Sequence, residues 1–237
     1  GGRLLALKPE ATAGMCRAYI EHNMRLWPQP VELYCIEPHF RYDRPQKGRY
    51  RQFWQYDFEI IGETDPALDV QMIHLNQTIL NDLGIGHLFD LQINSIGCKV
   101  CRIDFINALR DYYAGKERGL CFDCKIRLEK NPLRLLDCKE EDCRTIASFA
   151  PKFADLLCAE CKTFDGHVKE YLDELGVAYK LNPQLVRGLD YYTKTVFEWW
   201  DKSLGAQNAI GGGGRYDGLI ETMGGEPTPA VGFAVGM

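Results

Sequence analysis

Residues 41–51 carry Arg41, Arg44, Lys47, Arg49 and Arg51 against one acid, Asp43, around Pro45 and Gly48. Guanidinium groups take phosphate oxygens two at a time, and a glycine-bearing loop can close over a polyphosphate. Phe53 and Trp54 follow, with faces on which a nucleobase can stack. Taken alone, the same residues also suit a solvated hairpin tip. Further on, Gln55, Asp57 and Glu59 alternate with Trp54, Tyr56 and Phe58. Extended backbone sends the amide and the two carboxylates to one face and the aromatics to the other. That polar row is either an exposed face or the floor of a polar pocket, and the sequence does not choose.

Two more runs stand out. Leu185-Val186-Arg187-Gly188-Leu189-Asp190-Tyr191-Tyr192-Thr193 sets an arginine between apolar residues and just before paired tyrosines. It can bring a guanidinium beside aromatic hydroxyls, or be an arginine snorkelling past core tyrosines. The four glycines 211–214 permit close backbone approach to a ligand, without the Lys-Ser/Thr of a P-loop or a dinucleotide fingerprint.

Cysteine use is unusual: of ten cysteines, eight lie between Cys98 and Cys161. Cys98/Cys101, Cys121/Cys124 and Cys158/Cys161 are C-x2-C pairs, and Cys138/Cys143 is C-x4-C. Such spacings let two thiolates reach one tetrahedral ion, so the four pairs can build two four-thiolate structural zinc sites. Disulfides and unligated thiols are the alternatives. Which pairs would share a metal is open.

These residues need elements to hold them. A short apolar strand is expected at 4–7, then a helix to about residue 23 with Thr12 as its N-cap. Strands at 31–41 and 51–62 around the cationic loop suggest an antiparallel hairpin. Asp65-Pro66 opens a helix to about 83, and 88–96 returns as a strand. The stretch 98–175 reads as mostly helical with cysteine pairs at its joints. Strands are expected at 177–181, 192–200 and 207–210, the glycines as a loop before a helix at 216–223, and a last strand at 230–235. The mixture predicts an α+β fold. We divide it into a first part of a core at 1–98, an inserted Cys-rich subdomain at 99–180 and a second part at 181–237.

Composition excludes several classes. Lys plus Arg number 28 and Asp plus Glu 33, a formal net charge of −5, which argues against a protein built mainly to coat nucleic acid. With 46% hydrophobic and 26% charged residues, the chain is ordinary for a globular protein and wrong for a disordered one. No apolar run approaches the roughly 18 residues of a membrane span, and no signal peptide opens the chain. The expected location is the cytoplasm. The first residue is not Met and the last stretch stops within an apolar segment, so we read the chain as a piece of a longer protein.

Four stretches in register carry a family resemblance: Pro9-Glu10-Ala11-Thr12-Ala13, the run from Phe40 to Phe53, the Arg-Gly-Leu-Asp-Tyr-Tyr run, and Gly213-Gly214-Arg215-Tyr216-Asp217-Gly218-Leu219. Together they closely resemble the histidyl-tRNA synthetases, which are class II aminoacyl-tRNA synthetases. The resemblance implies an antiparallel catalytic sheet of six or more strands, flanked by helices, with an insertion before the histidine-specific run. It implies ATP with Mg2+, L-histidine and tRNA(His) as substrates, and a homodimer in the full-length parent.

Residue roles follow from the resemblance. Arg41 and Arg187 are the catalytic cations at the α-phosphate, and both also meet the histidine. Arg49 holds the γ-phosphate, and Asp43 and Phe53 address adenine. Glu10, Thr12 and Gln55 orient the amino acid. Glu59 and Tyr192 read the imidazole nitrogens, with Tyr191 and Tyr216 beside them. The chain departs from the family pattern at Ala11, where Gly is usual, and at Asp43, where Glu is usual. The dimer-forming segment, the motif 3 arginine and the anticodon-binding domain fall outside it, which leaves open whether this length is active by itself. Two non-catalytic readings stand beside the enzyme: a regulatory subunit of ATP phosphoribosyltransferase, and a tRNA-sensing pseudo-synthetase domain. Degenerate paralogues tend to lose parts of the histidine-specific run, so Arg187, Glu59, Tyr191 and Tyr192 favour the enzyme. A zinc-ribbon nucleic-acid binder would account for the cysteines alone.

Overall fold

The computed structural model describes residues 2, 4–42, 50–186, 191–202 and 209–237. Helix α1 (Thr12–Glu21) starts without a threonine cap. Glu10 does the capping instead, its Oε1 accepting from the Ala13 N–H at 3.0 Å, which leaves the Thr12 hydroxyl for another partner. The strand expected at 4–7 does not form. Leu4, Leu5 and Leu7 are exposed, and next to them Lys8 pairs, its carbonyl accepting from Phe40 N–H.

Strands β1 (Val31–Phe40) and β2 (Gln52–Ile61) form the expected antiparallel pair, Val31 opposite Ile61 and Phe40 opposite Gln52. Helix α2 (Pro66–Asp82) opens at Asp65, whose side chain accepts from Ala67 N–H, with proline in the first turn where no N–H is missed. Strand β3 (Phe89–Ser95) follows, and then five helices: α3 (Lys99–Tyr113), α4 (Phe122–Lys130), α5 (Glu141–Ser148), α6 (Phe153–Leu156) and α7 (Ala159–Glu174). The chain rejoins the sheet at β4 (Lys180–Leu181), shorter than expected, and continues through β5 (Thr193–Asp201), β6 (Ala209–Arg215), the short helix α8 (Leu219–Thr222) and β7 (Ala230–Gly236).

The glycine run is therefore a strand and not a loop. Its neighbours leave no room for side chains: a Cβ on Gly213 would stand 2.0 Å from the Gly232 carbonyl oxygen across the β6–β7 pairing. The helix after it is correspondingly delayed, from the expected 216 to Leu219.

The described strands form one seven-stranded sheet in the order β1-β2-β7-β6-β5-β3-β4, antiparallel except for the short parallel β3–β4 pair. Helices α2 and α7 cover one face, burying Ile73, Leu80, Val168 and Leu172 against Phe197, Trp199 and Phe233. Side chains one residue out of phase face the other way. There α1 and α8 pack Cys16, Tyr19, Leu219 and Ile220 against Ile61, Val196 and Ala230, in an apolar cluster that runs on into Phe105, Leu109 and Tyr113 of α3. No helix among the described residues is long and apolar enough to cross a membrane.

Candidate active site

Burial settles the choice that the alternation on β2 left open. Gln55, Asp57 and Glu59 are 8%, 1% and 1% exposed, so the polar row is a floor. Charged groups taken from water need partners or shifted pKa values. Glu59 has both. Thr12 Oγ1 donates to its Oε1 at 2.6 Å, and Tyr216 Oη donates to its Oε2 at 2.5 Å. Burial nevertheless lifts Glu59 to about 8, the two hydrogen bonds only partly opposing it. Burial also lifts Asp57 to about 7, helped by the charges of Glu37 and Glu10 and opposed by Arg41.

The Glu59 carboxylate leans over Gly232, its partner in the β2–β7 register: a Cβ on that glycine would lie 1.5 Å from Glu59 Oε2. Gly232 in turn pairs with Gly214 of β6, and the Tyr192 ring rests there, its Cδ1 2.9 Å from where a Gly214 Cβ would be. Carboxylate and phenol ring thus cover paired positions on neighbouring strands, which are spaced about 5 Å apart. The Tyr191 ring lies 4.8 Å from that of Tyr192 and 5.7 Å from that of Tyr216. Burial holds the Tyr191 and Tyr216 hydroxyls protonated. As donors they suit acceptors.

Three buried oxygens nearby have no hydrogen-bond partner among the described residues: Glu10 Oε2, Gln55 Oε1 and Asp57 Oδ1. All three only accept when the carboxyls are ionised. Buried unpaired acceptors are costly, roughly 1–3 kcal/mol each, and a ligand with several N–H donors would relieve them. A primary ammonium has three. Arg41 closes this end, its Nε donating to the Pro9 carbonyl at 3.0 Å and its guanidinium 4.9 Å from the centre of the Phe53 ring. Glu10, Thr12, Arg41, Phe53, Gln55, Glu59, Tyr191, Tyr192 and Tyr216 thus belong to one polar face and its rim. Asp43, Arg49 and Arg187 lie outside the described residues.

Three residues of this site are given no role by the sequence reading. Asp57 carries a signal in its period with Gln55 and Glu59. His39, buried with its Nε2 3.5 Å from Asp57 Oδ2, is found only through the strand register. Burial depresses His39 while it raises Asp57, and both shifts work against an ion pair between them. Cys16 of α1, driven to about 12 by burial and by the Glu59 charge, is a neutral thiol under the Glu59–Tyr216 pair. Apart from Cys16 and Cys35, the cysteines fall into two groups, Cys98, Cys101, Cys158 and Cys161, and Cys121, Cys124, Cys138 and Cys143. Within each group the sulfurs all lie within 4.8 Å of one another.

The chain is similar in sequence and fold to known proteins. A histidine–tRNA ligase of Dehalococcoides mccartyi is 54% identical over 237 residues, all of this chain and 56% of the relative. One from Desulforudis audaxviator is 53% identical over the same span, again 56% of its own length. The chain thus spans little more than half of the curated relatives it matches. Among solved structures, apo histidyl-tRNA synthetase from S. aureus superposes with a TM-score of 0.76 at 36% identity, over 97% of this chain and 55% of that one. The family model described as the tRNA synthetase class II core domain (G, H, P, S and T) matches residues 1–229. Matched by that model over nearly its whole length, the chain belongs to the class II tRNA synthetase core-domain family.

Proposed function

We propose that the full-length protein activates L-histidine with ATP and transfers it to tRNA(His). The observation that carries this reading is the set of buried acceptors on and beside β2: Gln55, Asp57 and the neighbouring Glu10 each keep an unpartnered oxygen, and Glu59 lies beside Tyr192. Histidine has the matching donors at both ends, an ammonium for Glu10, Gln55 and Asp57, and an imidazole N–H for Glu59. A carboxylate offers about four lone-pair sites, so Thr12 and Tyr216 leave Glu59 room for one more donor. The Tyr192 hydroxyl addresses the second ring nitrogen. A side chain without those nitrogens would leave buried polar groups unpaired, the kind of mismatch that discriminates by about 10⁴–10⁵.

In the first step a histidine carboxylate oxygen forms a bond to the α-phosphorus of ATP while the bond to the β-phosphate oxygen breaks. Pyrophosphate leaves, and ATP enters as its Mg2+ complex, which neutralises part of the departing charge. Arg41 binds the α-phosphate and the attacking carboxylate, which fixes their approach, and Arg187 stabilises charge developing on the phosphoryl oxygens. Arg49 holds the γ-phosphate, and Asp43 and Phe53 hold adenine by hydrogen bond and stacking. The contribution of these groups is positioning and electrostatics. In the second step a terminal ribose hydroxyl of tRNA(His) attacks the histidyl carbonyl, and AMP leaves.

On this reading residues 1–98 and 181–237 form the catalytic core and 99–180 an inserted subdomain, in a cytoplasmic, homodimeric parent. Histidine-dependent ATP–pyrophosphate exchange by the full-length protein is the test. No exchange with any amino acid would favour a regulatory subunit or a tRNA sensor, and exchange with another amino acid would overturn the assignment of Glu59 and Tyr192.

A further inference from the structure

The two cysteine groups have the geometry of metal centres. Cys98 and Cys101 sulfurs are 3.6 Å apart, and those of Cys121 and Cys138 3.9 Å. Four sulfurs at about 2.3 Å from a tetrahedral zinc ion stand about 3.8 Å from one another. Covalent disulfide sulfurs would be about 2.0 Å apart. The sulfurs are therefore placed as the corners of a thiolate tetrahedron.

The local backbone agrees. Cys98, Cys121 and Cys158 are the N-cap residues of α3, α4 and α7, positions where Ser, Thr, Asp or Asn would be expected. The second cysteine of each C-x2-C pair sits in the first turn that follows, so both sulfurs lie together at the start of the helix. Backbone N–H groups point at the sulfurs: Cys121 to Cys143 Sγ at 3.2 Å, Cys124 to Cys121 Sγ at 3.4 Å, and Cys158 to Cys101 Sγ at 3.2 Å. Such outer-shell donors orient and hold metal-bound sulfur.

Ordinary burial of thiols does not account for the first group. Cys101 and Cys161 pack with Leu157 alone as a small apolar cluster, separate from both main cores. The second group lies within a core, but it joins helices of nine and eight residues, lengths that are marginal without cross-links.

We propose that these residues bind two structural zinc ions, one held by Cys98, Cys101, Cys158 and Cys161 and the other by Cys121, Cys124, Cys138 and Cys143. The first centre is a clamp on the sheet. It joins the start of α3 to the start of α7, where the chain leaves β3 and comes back towards it. Ile96 N–H donates to the Lys194 carbonyl and Lys194 N–H to the Gly97 carbonyl, both at 2.8 Å, immediately before Cys98. Lys194 also reaches Glu160, between Cys158 and Cys161, at 3.5 Å. Gly97 turns with φ +62°, and a Cβ there would stand 2.5 Å from Cys101 Cβ, so the turn and the centre depend on the same glycine. Lys194 follows Tyr192 by two residues, and the clamp therefore fixes the start of β5 just after both tyrosines.

The test uses the full-length protein, expressed with zinc in the medium and purified under reducing conditions without a metal-affinity column. Metal analysis should return about two zinc equivalents, and Cys161→Ser and Cys124→Ser should each return about one. Replacement of zinc by Co2+ should give the intense thiolate-to-cobalt absorption of tetrahedral sites, which needs no variant and guards against misfolded mutants. Hydrogen exchange at the Ile96 and Lys194 amides should accelerate at least tenfold in Cys161→Ser and stay within twofold in Cys124→Ser. Protein free of zinc with eight alkylatable thiols in the block, or with four disulfides, would overturn the proposal. Unchanged exchange in a Cys161→Ser protein that has lost one zinc would overturn the clamp. None of these readouts depends on the amino acid that the enzyme activates.

Discussion

Gly232 lies directly across from Glu59 in the β2–β7 pairing, and the Glu59 carboxylate occupies the space that a side chain at 232 would need. Gly232→Ala should displace that carboxylate from Thr12 and Tyr216 and also press the β2 backbone locally, since the added Cβ would stand 2.6 Å from the Phe58 carbonyl oxygen. Because misplacement by about 1 Å can cost about 10²-fold, we expect KM for histidine to rise by roughly 10–100-fold with a native circular dichroism spectrum. Steady-state aminoacylation by the full-length protein would check this.

Stability without substrates should fall as pH rises from about 5 to 8. Glu59 and Asp57 are raised to about 8 and about 7, so the folded state holds their protons more tightly than the unfolded chain does. Their contribution is full below the ordinary carboxylate range near pH 4, and it is lost as pH rises through the raised values. Scanning fluorimetry should show a steeper decline in Tm for the wild type than for an Asp57→Asn, Glu59→Gln double variant. Saturating histidine should lift Tm more at pH 8 than at pH 6, since its ammonium favours the ionised carboxylates.

Arg187→Ala should reduce adenylate formation by about 10²–10³-fold or more and leave histidine affinity within a few-fold, as expected for a cation acting mainly on transition-state charge. Pyrophosphate exchange and calorimetric titration with histidine would separate the two. Normal exchange would refute the role given to this arginine.

Arg215 is wholly buried at the end of β6. Its Nε and Nη2 donate to Asp69 Oδ2, its Nη1 to the Glu63 carbonyl and Asp217, and its Nη2 to the Asp65 carbonyl. Removing one partner of such a pair strands the other in a dry site, so Arg215→Ala should cost about 3–5 kcal/mol in urea-induced unfolding. Histidine binding should weaken too, because Tyr216 is the next residue.

Strong local patterns made much of the fold legible. The polar–aromatic alternation marked β2 to within a residue, and Asp65-Pro66 marked the start of α2. Glycine hid β6, since a residue without a side chain cannot alternate, and only the crowding from β7 makes those glycines intelligible as a strand. At the site, type and period marked Gln55, Asp57 and Glu59 as a polar row, but only the family resemblance gave Gln55 and Glu59 roles. Asp57 was equally visible in the row, but its importance comes from a burial and an unpartnered oxygen that no linear pattern encodes. Likewise C-x2-C spacing revealed pairs of cysteines but not which pairs meet, because Cys98 and Cys161 are brought together only by four intervening helices.

The apolar cluster that starts at Cys16 and Tyr19 continues without a break into Phe105, Leu109 and Tyr113. An engineer trimming this chain to a minimal catalyst could not simply splice out the helical block. The cut would bare an oily flank beside the very helix that supplies Thr12, and a shortened version would have to be repainted there before it could stay dissolved.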